Sequence, residues 1–369
     1  MNMEEMKKSS SESHPPPTSF SSLPYEIVVS CLARISRIHR PTLSLVSKSF
    51  RSLIASAELD ATRSRMGKTE ECLYVCLDLN KNKPNPDMIV PRWYALAPIP
   101  KRQKLLPVSD LFPYQHPESS TIVSIGSEMY LIGGLVDGKR SRRMLFLESH
   151  RWRSLPDMIV PRERPAAEVI DGKIYVIGGC SKHWGEVYDP KTQAWEPLSP
   201  TTLDLTTQKS VVPGRLVMGG KVYEVNGLSL SSKPDICLAE IESNMWREIH
   251  ISGSELFWRE NEYSLWCVVE GLEKLSPSSY FPTRPVSVAN SGGRRVTVWW
   301  KTVEYRRQGR HYTKDCKTDI WCAEISFHFF QIYGITRLRG CIEWSKSVYT
   351  YDGCDCRSEF FLHSAVVTH

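Results

Sequence analysis

The residues best suited to hold a metal are Cys341, Cys354, Cys356 and His363, all late in the 369-residue sequence. Structural zinc usually draws four ligands from two paired knuckles with characteristic gaps, and here only one cramped Cys-x-Cys pair occurs. Cys72 and Cys76 are four apart, so on an alternating strand both thiols share one face, which suits core packing equally well. The ten histidines show no paired spacing, and there is no Gly-x-Ser-x-Gly, His-Glu-x-x-His or phosphate loop. The expectation is structural thiols, with no metal, no cofactor and no catalytic residue. Eleven cysteines, an odd number, and a start (Met1 to Lys8) without the apolar core of a secretory signal lead us to expect reduced thiols, in the cytoplasm and/or nucleus.

Charge offers a second kind of chemistry. Forty-seven basic against 41 acidic residues leave +6, a mild bias far from the dense footprint of a dedicated nucleic-acid binder. Two stretches concentrate it, Lys139-Arg140-Ser141-Arg142-Arg143 and Tyr305-Arg306-Arg307-Gln308-Gly309-Arg310-His311-Tyr312. Such stretches contact an acidic partner surface, act as an import signal or, more commonly, are simply solvated. With no recognition module beside them, nucleic-acid binding is not expected. Apolar runs are only a few residues long, so no membrane span is expected.

The elements that must carry these residues change along the chain. Residues 1–19, with Ser9-Ser10-Ser11 and Pro15-Pro16-Pro17, are too polar to offset their ordering entropy and read as a disordered tail. Pro24 then suits the first turn of a helix, and Ile27, Val28, Cys31, Leu32 and Ile35 fall on one helical face. Arg40-Pro41 opens a second helix bearing Leu43, Val46, Phe50, Leu53 and Ile54. Two such helices carry more apolar surface than one small contact buries, so a partner is expected to cover the remainder.

Leu23-Pro24-x-x-Ile27-Val28 followed by Leu43-x-Leu45-Val46-Ser47-Lys48-x-Phe50-Arg51-x-Leu53 resembles an F-box, placed here at residues 20–63. The resemblance implies docking on a Skp-type adaptor, and through it a cullin. The implied contacts are Leu23, Pro24, Ile27, Val28, Leu32, Leu43, Val46 and Phe50, some of which must also fill the module's own interior. The family often has Trp where this chain has Phe50, a smaller ring of the same apolar character.

From about residue 70 the pattern becomes short alternating segments rich in Val, Ile, Tyr and Trp between Gly, Pro and Asp turns, an all-β signature. Ala166 to Gly179 reads as strand, Asp171-Gly172 turn, strand, double glycine; the pattern returns at Ile125 to Gly134 and, through Gly219-Gly220, at Met218 to Gly227. A tryptophan closes each unit: Trp152, Trp195 and Trp246. Four strands, a mid-unit Gly-Gly and a late Trp resemble the kelch repeat of β-propellers, in which neighbouring sheets cover one another's faces. The expected fold is therefore a small all-α F-box module followed by an all-β kelch-type β-propeller over 70–369. Three hundred positions at about 47 per repeat give just over six, so six blades are expected. Ring closure should place residues 72–79 and part of 341–367 in the same or adjacent blades. Pro86-Asp87-Met88-Ile89-Val90-Pro91-Arg92 recurs verbatim at Pro156 to Arg162, out of register with the repeat.

The order of parts resembles F-box/kelch-repeat proteins. That resemblance implies the substrate-recognition subunit of a Skp–cullin–F-box ubiquitin ligase, itself no enzyme, whose propeller loops hold a target protein for ubiquitination; the alternative is a propeller scaffold acting outside a ligase. Kelch-type rings also occur in copper radical oxidases, but Tyr130, Tyr175 and Tyr223 hold equivalent repeat positions, which marks them as architectural. No substrate-binding residue is assigned.

Overall fold

The computed structural model describes residues 22–368 apart from 80–90, 97–102, 109–116, 149–150, 181–182, 199–210, 213–214, 227–228, 244, 254, 262, 273–274, 276–286, 309–310 and 355–359. The tail, Pro86 to Val90 of the first heptapeptide, Gly309-Arg310 and Cys356 lie outside the described residues. The chain divides into two compact units, Met1–Thr69 and Glu70–His369.

In the first unit the sequence suggests two helices, and the described residues form four α-helices, α1 (Tyr25–Ala33), α2 (Arg40–Leu43), α3 (Lys48–Ile54) and α4 (Ala57–Arg65). The stretch read as one helix from Arg40 breaks because Ser47 is extended and its hydroxyl accepts from Phe50 N at 3.1 Å, the mark of an N-cap. Ser56 caps α4 in the same way, accepting from Leu59 N at 3.3 Å. Pro24 is the N-cap of α1, just before the first turn, its carbonyl accepting from Ile27 N and Val28 N at 3.0 and 3.1 Å. Val28, Val29, Leu32, Ala33 and Leu59 form the core, with Leu43, Phe50, Leu53 and Ile54 packed against it. The buried Arg63 of α4 ties this core to the end of α1, donating to Ala33 O at 2.9 Å and Ile35 O at 2.5 Å. A cation set against the carbonyls at a helix C-terminus is favourable twice over, by hydrogen bonding and by the helix dipole.

The second unit is a ring of antiparallel sheets. Blade 1 is opened by Glu71–Leu77, which pairs with the last strand, Phe361–Thr368, in the register Cys72↔Val367 and Tyr74↔Ala365. The expected closure by strands from both ends of the region is thus observed. Blade 2 runs from Thr121 to Ser154, blade 3 from Ala166 to Leu198, blade 4 from Val211 to Val268 and blade 5 from Ser287 to Asp352.

Among the described residues five sheets form blades, apart from one two-stranded ribbon, and not the six blades that repeat arithmetic gives. The arithmetic assumes a constant unit, and the last two blades do not keep it. Strand Ser229–Glu242 pairs through its first half with Lys221–Asn226 and through its second half with Met245–Ser252. Segments that would count as two units therefore join in one seven-stranded sheet. In blade 5, strands Arg295–Gln308, His311–Ile332 and Ile335–Asp352 run to 14, 22 and 18 residues, far longer than a repeat unit allows. Packing agrees: five apolar layers separate the sheets, the last joining blade 5 to blade 1 through Trp299, Ile320, Val75 and Tyr94.

The double glycines sit where sheets meet. Gly133 has φ +62°, and a Cβ there would come within 2.6 Å of Arg162 O. Trp152 is buried against Trp93, ring centroids 5.9 Å apart, and Trp195 packs on Tyr188. Trp246, by contrast, is half exposed, in keeping with the loss of the repeat in the later blades.

One thiol expectation is corrected. Cys316 and Cys354 form a disulfide, with Cα atoms 5.2 Å apart, between the long second hairpin of blade 5 and the segment that leads to the closing strand. Spacing gives no hint of it, because 38 residues separate the two cysteines and the fold alone brings them together. Cys76 is buried, with Cys72 packed against the same layer, and burial pushes the Cys76 thiol well up.

Candidate partner-binding surface

The eight candidate contacts of the helical unit separate into two groups. Val28 and Leu32 are 8% and 3% exposed and belong to the core, while Leu43 and Phe50 are half-buried against it. Leu23, Pro24, Ile27 and Val46 are exposed, the three aliphatic ones at 38%, 48% and 63%. The helical period explains the division: Val28, Val29, Leu32 and Ala33 share one buried face of α1, and at about 100° per residue Ile27 falls on the opposite side. Val46 escapes because it falls in the break between α2 and α3 that the Ser47 cap creates.

Two exposed residues were missed. Leu45, in the same break, is 77% exposed, and Tyr25 is 49% exposed beside Pro24. Leu45 stands inside the Leu43 to Leu53 half of the F-box motif, which is a signal for it; an aromatic next to the capping proline carries none by itself. The Tyr25 hydroxyl donates to Glu58 Oε2 at 2.7 Å, and that bond is the main reason its pKa lies above the usual phenol value. Exposed apolar side chains thus gather at two places, the start of α1 and the α2–α3 turn. Single exposed apolar residues are ordinary, but five within a module of under 50 residues make it a candidate interaction surface.

In the propeller unit the described members of the set weighed for metal, Cys341, Cys354 and His363, do not converge. Cys354 is spent in its disulfide, Cys341 is exposed on the last strand of blade 5, and His363 is buried in the closing strand, its Nε2 3.3 Å from Ser120 Oγ. Among the described residues no three His, Cys, Asp or Glu side chains come together in a metal-binding group. Tyr130 and Tyr223 are buried and Tyr175 half-buried in the layers between blades. No described helix is long and apolar enough to cross a membrane.

The basic stretch at Lys139 lies on a connection between inner strands of blade 2. Leu135–Val136 pairs with Lys139–Arg140 in a small hairpin whose turn residues, Asp137 and Gly138, both have positive φ (51° and 71°). Its base is tied to the connection between blades 2 and 3, with Gly134 N donating to Arg162 O at 2.8 Å and Arg162 N to Ser141 O at 3.0 Å.

Comparison with known proteins decides the family. A model described as the F-box domain matches residues 20–62, and one described as the FKB95, Kelch-repeats domain matches residues 83–349. This chain belongs to the F-box/kelch-repeat family. Its relatives include an F-box/kelch-repeat protein of Arabidopsis thaliana that is 54% identical over 377 residues, covering 98% of this chain and 99% of the relative. Another from the same plant is 52% identical over 360 residues, covering 96% and 90%, and a third is 46% identical with 99% coverage of both. The exposed residues on α1 and in the α2–α3 turn lie within the F-box match, and the basic hairpin lies within the kelch match.

Proposed function

We propose that this F-box/kelch-repeat protein is the substrate-recognition subunit of a Skp–cullin–F-box ubiquitin ligase. The supporting observation is that Leu23, Tyr25, Ile27, Leu45 and Val46 remain exposed although the module's core is already filled by Val28, Val29, Leu32 and Leu59. Burying each large aliphatic side chain on a partner contributes about 1.5–3 kcal/mol, enough for a few of them to drive specific association. Leu23, Pro24, Ile27 and Val46 then make the adaptor contact, and Val28 and Leu32 hold the helix that presents them.

On this reading the chain catalyses nothing. It tethers a target beside the ubiquitin-charged enzyme, where effective concentrations reach roughly millimolar with no new contact. The propeller suits the other half of the task because rigid sheets carry connections that vary freely. We place the work in the cytoplasm and/or nucleus on the family resemblance, the Cys316–Cys354 disulfide having removed the argument from reduced thiols.

The test is co-purification of a Skp-type adaptor with the full chain. The wild type should retain the adaptor, and Leu23→Ala/Pro24→Ala should lose it while keeping the far-UV spectrum. Retention unchanged by that substitution, or no retention at all, would remove the ligase reading and leave a propeller scaffold.

A further inference from the structure

Three connections at one end of blades 2 and 3 carry an excess of cations. Lys139, Arg140, Arg142 and Arg143 are exposed on and beside the small hairpin, and Arg164 is exposed on the connection between the two blades. These pieces form one platform. Besides the bonds at Gly134 and Arg162, Arg164 N donates to Ser119 O at 2.8 Å and its Nε to Ser119 Oγ at 3.1 Å, while Leu135 N donates to Glu118 O at 2.6 Å. The hairpin turn, with both central residues at positive φ, matches the twist of its strands, so the cations stand on fixed backbone.

For Lys139, Arg140, Arg142 and Arg164 the nearby described carboxylates do not balance the charge. Half-buried Glu163 lies 3.8 Å from Arg140 and 4.0 Å from Arg164 and serves both. Ion pairs this open to solvent contribute about 1 kcal/mol or less. Glu118 and Asp137 are exposed, and among the described residues Lys139 and Arg142 have no carboxylate within ion-pair distance. Massing like charges costs the isolated fold self-repulsion, and a ligand of opposite charge relieves it.

We propose that this platform, centred on Lys139, Arg140, Arg142 and Arg164, receives an acidic segment of the target protein; the inference rests on the reading of the propeller as the target-holding half. A polypeptide fits better than a nucleic acid. Glu118, Asp137 and Glu163 are interleaved with the cations and would repel a continuous phosphate backbone, whereas a peptide can space its carboxylates between them. The segments 117–120, 133–143 and 162–165 also contain no aromatic residue on which a base could stack.

The experiment measures fluorescence anisotropy of three labelled probes with the full chain: a 12-residue Glu/Gly peptide, its Gln/Gly counterpart and a single-stranded oligonucleotide. The Glu peptide should bind, the Gln peptide should not, and affinity should fall steeply as salt shortens the screening length. Lys139→Glu/Arg142→Glu should weaken the Glu peptide by about tenfold, chiefly in association rate. Lys173→Glu/Lys191→Glu, at the opposite end of blade 3, removes the same charge and should leave it within about twofold, since those sites lie beyond a Debye length. Equal loss in the two variants, no binding of the Glu peptide, or tighter binding of the oligonucleotide would overturn the proposal. Adaptor retention is scored on the same samples. Lost adaptor with intact peptide binding defeats the ligase reading alone, and the converse defeats only the platform.

Discussion

Arg162 and Glu186 form an ion pair 2.7 Å long whose side chains are 0% and 1% exposed. The guanidinium also donates to Gly178 O at 2.6 Å, and the carboxylate accepts from Ile159 N at 2.6 Å. The connection between blades 2 and 3 is thereby fixed to the second and third strands of blade 3. The pair also holds the base of the basic hairpin, because Arg162's own backbone bonds Gly134 and Ser141.

Removing one partner should be costly. Arg162→Met leaves Glu186 buried without its countercharge, and a loss of about 3–5 kcal/mol is expected in urea denaturation of the full chain. Replacing both residues by apolar ones, Arg162→Met/Glu186→Leu, should cost clearly less than the two single changes added together.

Core and surface positions of the F-box should respond oppositely. Leu32→Ala should lower stability by about 2–4 kcal/mol through a cavity beside Leu59 and Val29. Ile27→Asp/Val46→Asp should change stability by less than about 1 kcal/mol yet abolish adaptor retention. Melting curves and the adaptor pull-down on the same preparations separate the two.

Glycines with similar positive φ, +62° to +73°, should differ by what surrounds them. Gly138→Ala, in open space at φ +71°, carries only the left-handed penalty of about 1 kcal/mol. Gly133→Ala and Gly179→Ala add a collision with Arg162 O and Glu163 O and should lose about 3 kcal/mol or more. Chemical denaturation midpoints of the three variants check the order.

The Cys316–Cys354 disulfide predicts an alkylation pattern. Under non-reducing denaturation with iodoacetamide, Cys316 and Cys354 themselves should stay unmodified and their peptides joined, and reduction should release them. Full labelling of both without a reductant would return them to the reduced state expected from the sequence.

Lys221 should give the stability curve an alkaline slope. Burial pushes its ammonium pKa down to about 8, against about 10.4 in an unfolded chain. The unfolded state therefore binds more protons between these values, and this residue's cost, full below about pH 8, fades as pH rises toward 10.4. Lys221→Met should accordingly be more stable than wild type by about 1–3 kcal/mol at pH 7, the advantage disappearing near pH 10.5. Denaturation at a series of pH values measures it, and an advantage that does not vary with pH would exclude this cause.

Local chemistry was legible in the residues themselves. Leu23-Pro24 and the helical spacing after it mark the F-box, Asp171-Gly172 and the double glycines mark hairpins and close backbone approach, and the repeat identifies a closed ring. These features depend on backbone dihedrals and short-range periodicity, which nearby residues set. What remained hidden depends on distant partners. The heptapeptide ending in Arg92 and its copy ending in Arg162 are identical, yet Arg92 is exposed at a strand start and Arg162 is fully buried. Only Arg162 finds Glu186 across the sheet, and identical local preferences cannot distinguish the two. The number of blades, the cysteine pairing and the choice of Ile27 over Val28 for the surface were likewise decided by which elements met, since burial belongs to an arrangement of segments rather than to any one of them.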